Sequence, residues 1–113
     1  MNIFIRKDKA SPNEYYFGDY NDNPLAPFSV SIASIDDNFA GEKPHYHKIN
    51  QKVYITLSGK GILNVNGKQV ELQEKQMINV EPGEIHFIEK IVEAPLKIVV
   101  VNSSKIDDRI ILN

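Results

Sequence analysis

An all-β chain folded as a single barrel or sandwich is what the sequence predicts. Three observations carry this: short runs rich in Val, Ile, Tyr and Phe, breaks of Gly, Pro and Asn between them, and no sustained 3.6-residue apolar period. At 113 residues, with 42% hydrophobic and 25% charged residues, the chain has the make-up of one globular domain, expected to span residues 1–113. Strands are expected at 2–5, 14–17, 28–34, 45–47, 53–58, 61–65, 68–72, 77–80, 85–88 and 96–101. Many short strands with turn signals between them suit a barrel or sandwich. Asn66-Gly67 lets both central turn residues take positive φ, which predicts a tight hairpin joining 61–65 to 68–72. The stretches 21–27 and 103–108 read as surface connections.

Composition narrows the function. The formal charge of −2 is spread without a basic patch, and Lys7 and Lys9 stand among acidic and polar neighbours, so no nucleic-acid partner is expected. The longest apolar run, 98–101, is far too short to span a bilayer, and the first residues hold no signal-like apolar stretch. A soluble, cytoplasmic protein with no membrane partner is the expectation. Cysteine is absent, which excludes disulfides, thiolate nucleophiles and cysteine-ligated zinc together.

The chemistry concentrates in the three histidines, His45, His47 and His86. On a strand, residues i and i+2 project to one face, so His45 and His47 point together while Tyr46 points away. If the intervening 48–50 segment keeps the register, Gln51, Val53, Ile55 and Leu57 continue that face. His86 follows the turn-forming Glu81-Pro82-Gly83-Glu84 and can meet the pair across a closed barrel. Three neutral imidazoles then make a site for a metal cation.

Residues 41–90 hold two further patterned stretches. Gly41-Glu42-Lys43-Pro44-His45-Tyr46-His47, continuing through Val53-Tyr54-Ile55-Thr56-Leu57-Ser58-Gly59-Lys60-Gly61, is similar to the first cupin motif. There a Gly precedes His-x-His, a Glu follows after three or four residues, and a strand ends at Gly. Glu81-Pro82-Gly83-Glu84-Ile85-His86 resembles the second motif, in which a Pro/Gly turn delivers the last histidine. The resemblance implies a single-domain cupin-type β-barrel, a double-stranded β-helix or jelly roll, with a metal in its mouth. It implies His45, His47 and His86 as ligands, a small-molecule substrate or ligand, and a homodimer formed through the early strands. Gly41 stands closer to His45 than the first motif has it, and three more departures stand out. The second motif's proline is displaced to Pro82, Lys90 replaces its closing Asn, and no carboxylate stands where the fourth ligand belongs. One count from the first motif lands on Gln51 and another on Lys52. A Gln amide oxygen can ligate a divalent ion as a neutral donor, so Gln51 is the expected fourth ligand. An ammonium at that place repels the ion, and Lys52 buried there argues for a metal-free site.

The expected function is a small cupin that holds a divalent metal, Zn, Fe, Ni, Mn or Cu, and acts on or binds a small polar metabolite. Metal-dependent oxygenase, isomerase and lyase chemistry all fit such a site. One alternative is a metal-free cupin that isomerises or epimerises a sugar derivative, with His47 or His86 as general base and Lys52 or Tyr54 beside it. Another is a ligand-binding module without turnover. Tyr54, Phe87 and Phe28 are weighed as cavity-lining residues against plain core packing. Glu42 and Glu84 are weighed as general base or replacement ligand against solvated turn carboxylates. The Tyr15-Tyr16-Phe17 run reads as packing.

Overall fold

Two long strands organise the fold in the computed structural model, which describes residues 1, 3–4, 6–8, 14–17, 28–104 and 106–113. Nine strands occur among the described residues: β1 (Lys7–Asp8), β2 (Glu14–Phe17), β3 (Ser29–Ile35), β4 (His45–His47), β5 (Lys52–Val65), β6 (Lys68–Leu72), β7 (Met77–Val80), β8 (His86–Asn102) and β9 (Arg109–Ile111). No helix occurs among these residues, so the all-β expectation holds. All pairing between the strands is antiparallel. One path runs β1-β2-β3-β8-β4-β9, and β5 joins it through β8 while also carrying β6 and β7.

The expected runs 53–58 and 61–65 are one strand, β5, and the runs 85–88 and 96–101 are likewise one strand, β8. Glycine at 59 does not end a strand as expected. Gly59 has φ +79 and sits where the β5–β8 register slips, with shifts between Thr56 and Ser58, Ser58 and Lys60, and Lys60 and Gly61. A bulge inserts residues without breaking the pairing, and it changes which residues face inward. Before it the buried positions of β5 are Tyr54 and Thr56; after it they are Gly61 and Leu63. The two parities meet one continuous core of Tyr54, Leu63, Leu72, Val80, Ile88, Leu96, Ile98 and Val100.

The Asn66-Gly67 hairpin forms as expected, with φ of 51 and 85 and Val65 opposite Lys68. Its tip also does positional work. The Asn66 N–H donates to the Ile85 carbonyl at 2.7 Å, and the Ile85 N–H donates to Asn66 Oδ1 at 2.9 Å, which fixes the residue preceding His86. The run expected at 2–5 is not borne out where it is described, since Ile3 and Phe4 lie outside any strand; Asn2 and Ile5 fall outside the described residues. The connection expected at 21–27 also falls outside them. The Tyr15-Tyr16-Phe17 run belongs to β2, where the described Phe17 is half-buried. β9 forms where no strand is expected, on the short apolar run Ile110-Ile111-Leu112.

Candidate metal centre

Strand alternation brings the histidines together. Along β4 the burial runs buried, half-buried, buried, so His45 and His47 face the core and Tyr46 faces away. His45 is the direct partner of His86 across the β4–β8 pairing, and β4 is flanked on its other edge by β9, with His47 opposite Arg109. The turn that delivers His86 is tied to the same strand, because the Gly83 N–H donates to the His47 carbonyl at 2.8 Å. His45, His47 and His86 are 1%, 4% and 0% exposed. Their ring centroids lie 4.3 Å apart for His45 and His86, and 5.6 Å apart for each of the other two pairs.

Each ring is held by Nδ1. His45 Nδ1 lies 2.9 Å from the Lys43 carbonyl, His86 Nδ1 lies 2.9 Å from the Glu84 carbonyl, and His47 Nδ1 lies 2.9 Å from Asp108 Oδ1. All three partners are acceptors, so each Nδ1 carries the proton and each Nε2 carries a lone pair. All three Nε2 atoms are buried without a hydrogen-bond partner. One ligating atom from each residue falls within 4.8 Å of the others, and no other His, Asp or Glu among the described residues joins the group.

The electrostatics keep the rings neutral. Burial lowers the pKa of all three below 6.5, and that of His86 to about 3, while the Lys52 ammonium adds to the shift at every one. A group neutral in the folded state and free to protonate when unfolded makes the unfolded chain bind more protons below pH 6.5. Stability therefore rises with pH between about 3 and 6.5 and is lost as pH falls through that window. Urea midpoints of the metal-free protein are expected to fall steadily from pH 7 to pH 4. A flat profile there contradicts three buried neutral imidazoles.

Gln51 does not join the histidines. Its side chain is exposed and its Oε1 accepts from Asn79 Nδ2 at 3.0 Å. The physical reason is a parity change in the irregular segment between β4 and β5. Val53, Ile55 and Leu57 do not continue the histidine face as expected: Tyr54 and Thr56 are buried while Leu57 is 53% exposed. Lys52 takes the inward parity, and its Nζ lies 5.4 Å from the centroid of the Tyr54 ring. Tyr54 stands edge-on to His86 with centroids 6.4 Å apart, and its buried hydroxyl has no hydrogen-bond partner. Burial, with the Glu42 charge adding to it, pushes the Tyr54 phenol well above 10. It is a proton donor at neutral pH.

The remaining residues sort by the bonds they make. Glu42 Oε1 accepts from the Ile88 N–H at 3.0 Å, and its charge reaches His45 and Tyr54, so it stands beside the site and outside the ligand cluster. Glu84 Oε1 accepts from the Glu81 N–H, which spends its carboxylate on the turn. Phe28 is 49% exposed, and Phe87 takes the parity opposite to buried His86 and Ile88, so neither lines the interior.

Two residues of the site carried no sequence signal. Asn50 is 1% exposed; its Nδ2 donates to the Ile106 carbonyl and to Asp108 Oδ1, and its Oδ1 accepts from the Ser104 N–H and hydroxyl. Asp108 Oδ2 accepts from the N–H groups of Ile49 and Asn50 at 2.6 and 2.8 Å. Burial works against its charge, but these bonds and that from His47 hold its carboxyl far below the usual range. Close neighbours of an ionised carboxylate and an Asn are 58 residues apart in sequence, so no local spacing announces them.

Three histidines clustered on the inner face of an antiparallel β-fold form a group that could hold a metal ion. Residues 33–102 match the cupin domain family, and the chain belongs to that family. An uncharacterised protein of Methanocaldococcus jannaschii is 32% identical over 54 residues, 48% of this chain and 43% of the relative, so the match spans less than half the length of that curated relative. A cupin protein from Bacteroides fragilis is similar over 92% of this chain and 86% of its own, with a TM-score of 0.71 and 24% identity. KdgF from a Halomonas species has a TM-score of 0.69 at 16% identity, covering 96% and 97%. Pac13 of Streptomyces, a nucleoside dehydratase, has a TM-score of 0.67 at 17% identity, covering 97% and 85%. At these identities the structural likenesses establish the shared fold.

Proposed function

We propose that this chain is a metal-binding cupin in which His45, His47 and His86 hold one divalent transition metal and the barrel mouth receives a small polar metabolite. One observation carries the reading: three imidazoles, each tied down through Nδ1, leave three buried Nε2 lone pairs with no partner. A buried acceptor left unsatisfied costs about 1–3 kcal/mol. A cation that accepts all three lone pairs removes that cost, and neutral imidazole without thiolate suits Zn, Fe, Ni, Mn or Cu. Bound there, the ion supplies Lewis-acid chemistry, or redox chemistry if it is iron, which leaves oxygenase, isomerase and lyase reactions open.

The chain's own residues shape what else binds. With Gln51 turned outward, the protein offers three neutral donors and leaves further positions to water or substrate. The Tyr54 hydroxyl offers a proton and Lys52 a positive charge on the same inner face, so an anionic or strongly polar oxygen suits the mouth. The use of this fold by a nucleoside dehydratase supports a small polar metabolite as the ligand class. Association as a homodimer belongs to the same reading, supported by the outward apolar residues Ile55, Leu57 and Met77 of β5 and β7, of which Leu57 and Met77 are exposed.

The inward Lys52 favours a second reading, a metal-free isomerase or epimerase, or a binding module, with the histidines and Tyr54 as acid/base or contact groups. Elemental analysis of the purified protein before and after reconstitution with Zn, Fe, Mn and Ni separates the two. Near-stoichiometric metal supports the first, and none after reconstitution supports the second. Under the metal reading Lys52→Met removes a repulsive charge, and metal affinity is expected to rise about tenfold, ~1.4 kcal/mol. Calorimetric titration of both proteins checks this; unchanged affinity places the ammonium too far away to matter.

A further inference from the structure

The three histidines are not held alike. His45 and His86 are each fixed by a backbone carbonyl two residues earlier, so their orientation comes with the local chain. His47 is fixed by a carboxylate 61 residues away, on the segment leading into β9. Both partners of that pair are nearly sealed from solvent, with side chains 5% and 7% exposed. A carboxylate on the far nitrogen makes an imidazole a stronger donor than a carbonyl does and fixes which nitrogen is bare.

We propose that Asp108 is a positioning residue that holds His47 with its lone pair on Nε2 and makes it the strongest donor of the three. This rests on the three-histidine reading above. Asp108 can do so because its two oxygens are committed to four donors. Oδ1 accepts from His47 Nδ1 at 2.9 Å and from Asn50 Nδ2 at 2.7 Å. Oδ2 accepts from the backbone N–H groups of Ile49 and Asn50, the residues that turn the chain away from β4. The carboxylate therefore cannot rotate without abandoning two backbone donors. Asn50 locks the opposite end of the segment through Ser104 and the Ile106 carbonyl, and the Leu112 N–H donates to the Pro44 carbonyl at 2.9 Å on the other side of β4. The first histidine pair is thus embraced by the C-terminal residues.

The isosteric variant Asp108→Asn makes a specific prediction. One carbonyl oxygen now serves the two backbone N–H groups, which turns the amide NH₂ toward His47 and gives up the bond from Asn50 Nδ2, a group that keeps the Ile106 carbonyl. An NH₂ donates to Nδ1, so the ring proton moves to Nε2, onto the atom that must bind metal.

The experiment is long-range ¹H–¹⁵N NMR of the metal-free protein, which reads the tautomer of each ring, followed by cobalt titration with the visible spectrum recorded. Wild type is expected to show the Nδ1–H form at all three rings. Asp108→Asn is expected to convert His47 to the Nε2–H form, leave His45 and His86 unchanged, and weaken cobalt binding about 10–100-fold with an altered spectrum. Ser104→Ala loosens the same segment without touching Asp108, and it is expected to lower stability while leaving the His47 tautomer and cobalt affinity within about twofold of wild type. An Nε2–H form of His47 in wild type overturns the proposal without any variant, and so does a folded Asp108→Asn protein with the Nδ1–H form and wild-type affinity. Wild type that binds no cobalt at all refutes the metal reading instead, and the tautomer result still judges the role of Asp108 in positioning His47.

Discussion

Replacing His86 by alanine is expected to reduce metal from about one ion per chain to almost none. Structural zinc sites release about 10–16 kcal/mol over four ligands, so one ligand is worth roughly 3–4 kcal/mol, or on the order of a hundred- to a thousandfold in affinity. His86 should sit at the upper end. It is the most enclosed of the three rings, it pairs directly with His45 across the strands, and no other His, Asp or Glu among the described residues stands within the cluster to replace it. Calorimetric titration gives the affinity. Thermal unfolding with and without metal gives an independent reading, since an ion present at a thousand times its Kd stabilises by about 4 kcal/mol and that gain should vanish in the variant. Gln51→Ala is the matched control. Its amide is bonded to Asn79 on the outside of the barrel, so its affinity should equal wild type. A large loss in Gln51→Ala with none in His86→Ala would falsify the assignment of the site.

Gln51 also marks where sequence reasoning stops. Period-2 alternation placed His45 and His47 on one face, and the Pro82-Gly83 turn placed His86 on the next available strand; both follow from local backbone geometry. The hairpin at Asn66-Gly67 was legible for the same reason, because positive φ restricts residue choice. The face of β5 was not legible. Alternation must be carried from β4 to β5 through the irregular segment 48–51, and one residue of slip there exchanges Gln51 for Lys52. That slip is enforced by Asp108 and Ser103, whose oxygens capture the N–H groups of Ile49, Asn50 and Gln51 from more than 50 residues away. A tertiary bond thus decides a local register. The same holds for Gly59, which in sequence reads as a strand end and in the fold is a bulge within one strand, because only the pairing with β8 distinguishes the two.

Gly59→Ala is expected to be the most damaging small substitution in the barrel, by about 3–5 kcal/mol, which for a domain of this size lowers Tm by roughly 10–20 °C. Two costs add. At φ +79 any L-residue with a Cβ is strained by about 1–2 kcal/mol. The added carbon would also lie 2.3 Å from the Pro95 carbonyl oxygen, 2.6 Å from that of Glu93 and 2.9 Å from Leu96 Cα, all backbone atoms that cannot swing aside. Gly67→Ala separates the two costs. Gly67 has a similar φ of +85 with nothing within 4 Å of the added carbon, so it should lose only the conformational part. The difference between the variants measures how tightly β8 is drawn over the bulge. That closeness matters for the site, because the bulge is what lets Tyr54 on one side and Leu63 on the other face the same interior. Beyond it, Leu63 stands opposite Ile88 and Val65 opposite His86, so the pairing that follows the bulge sets the height of His86 in the barrel. Forcing β8 away from Gly59 should therefore weaken metal binding in whatever Gly59→Ala protein remains folded, while Gly67→Ala, equally strained in φ, should bind as wild type does.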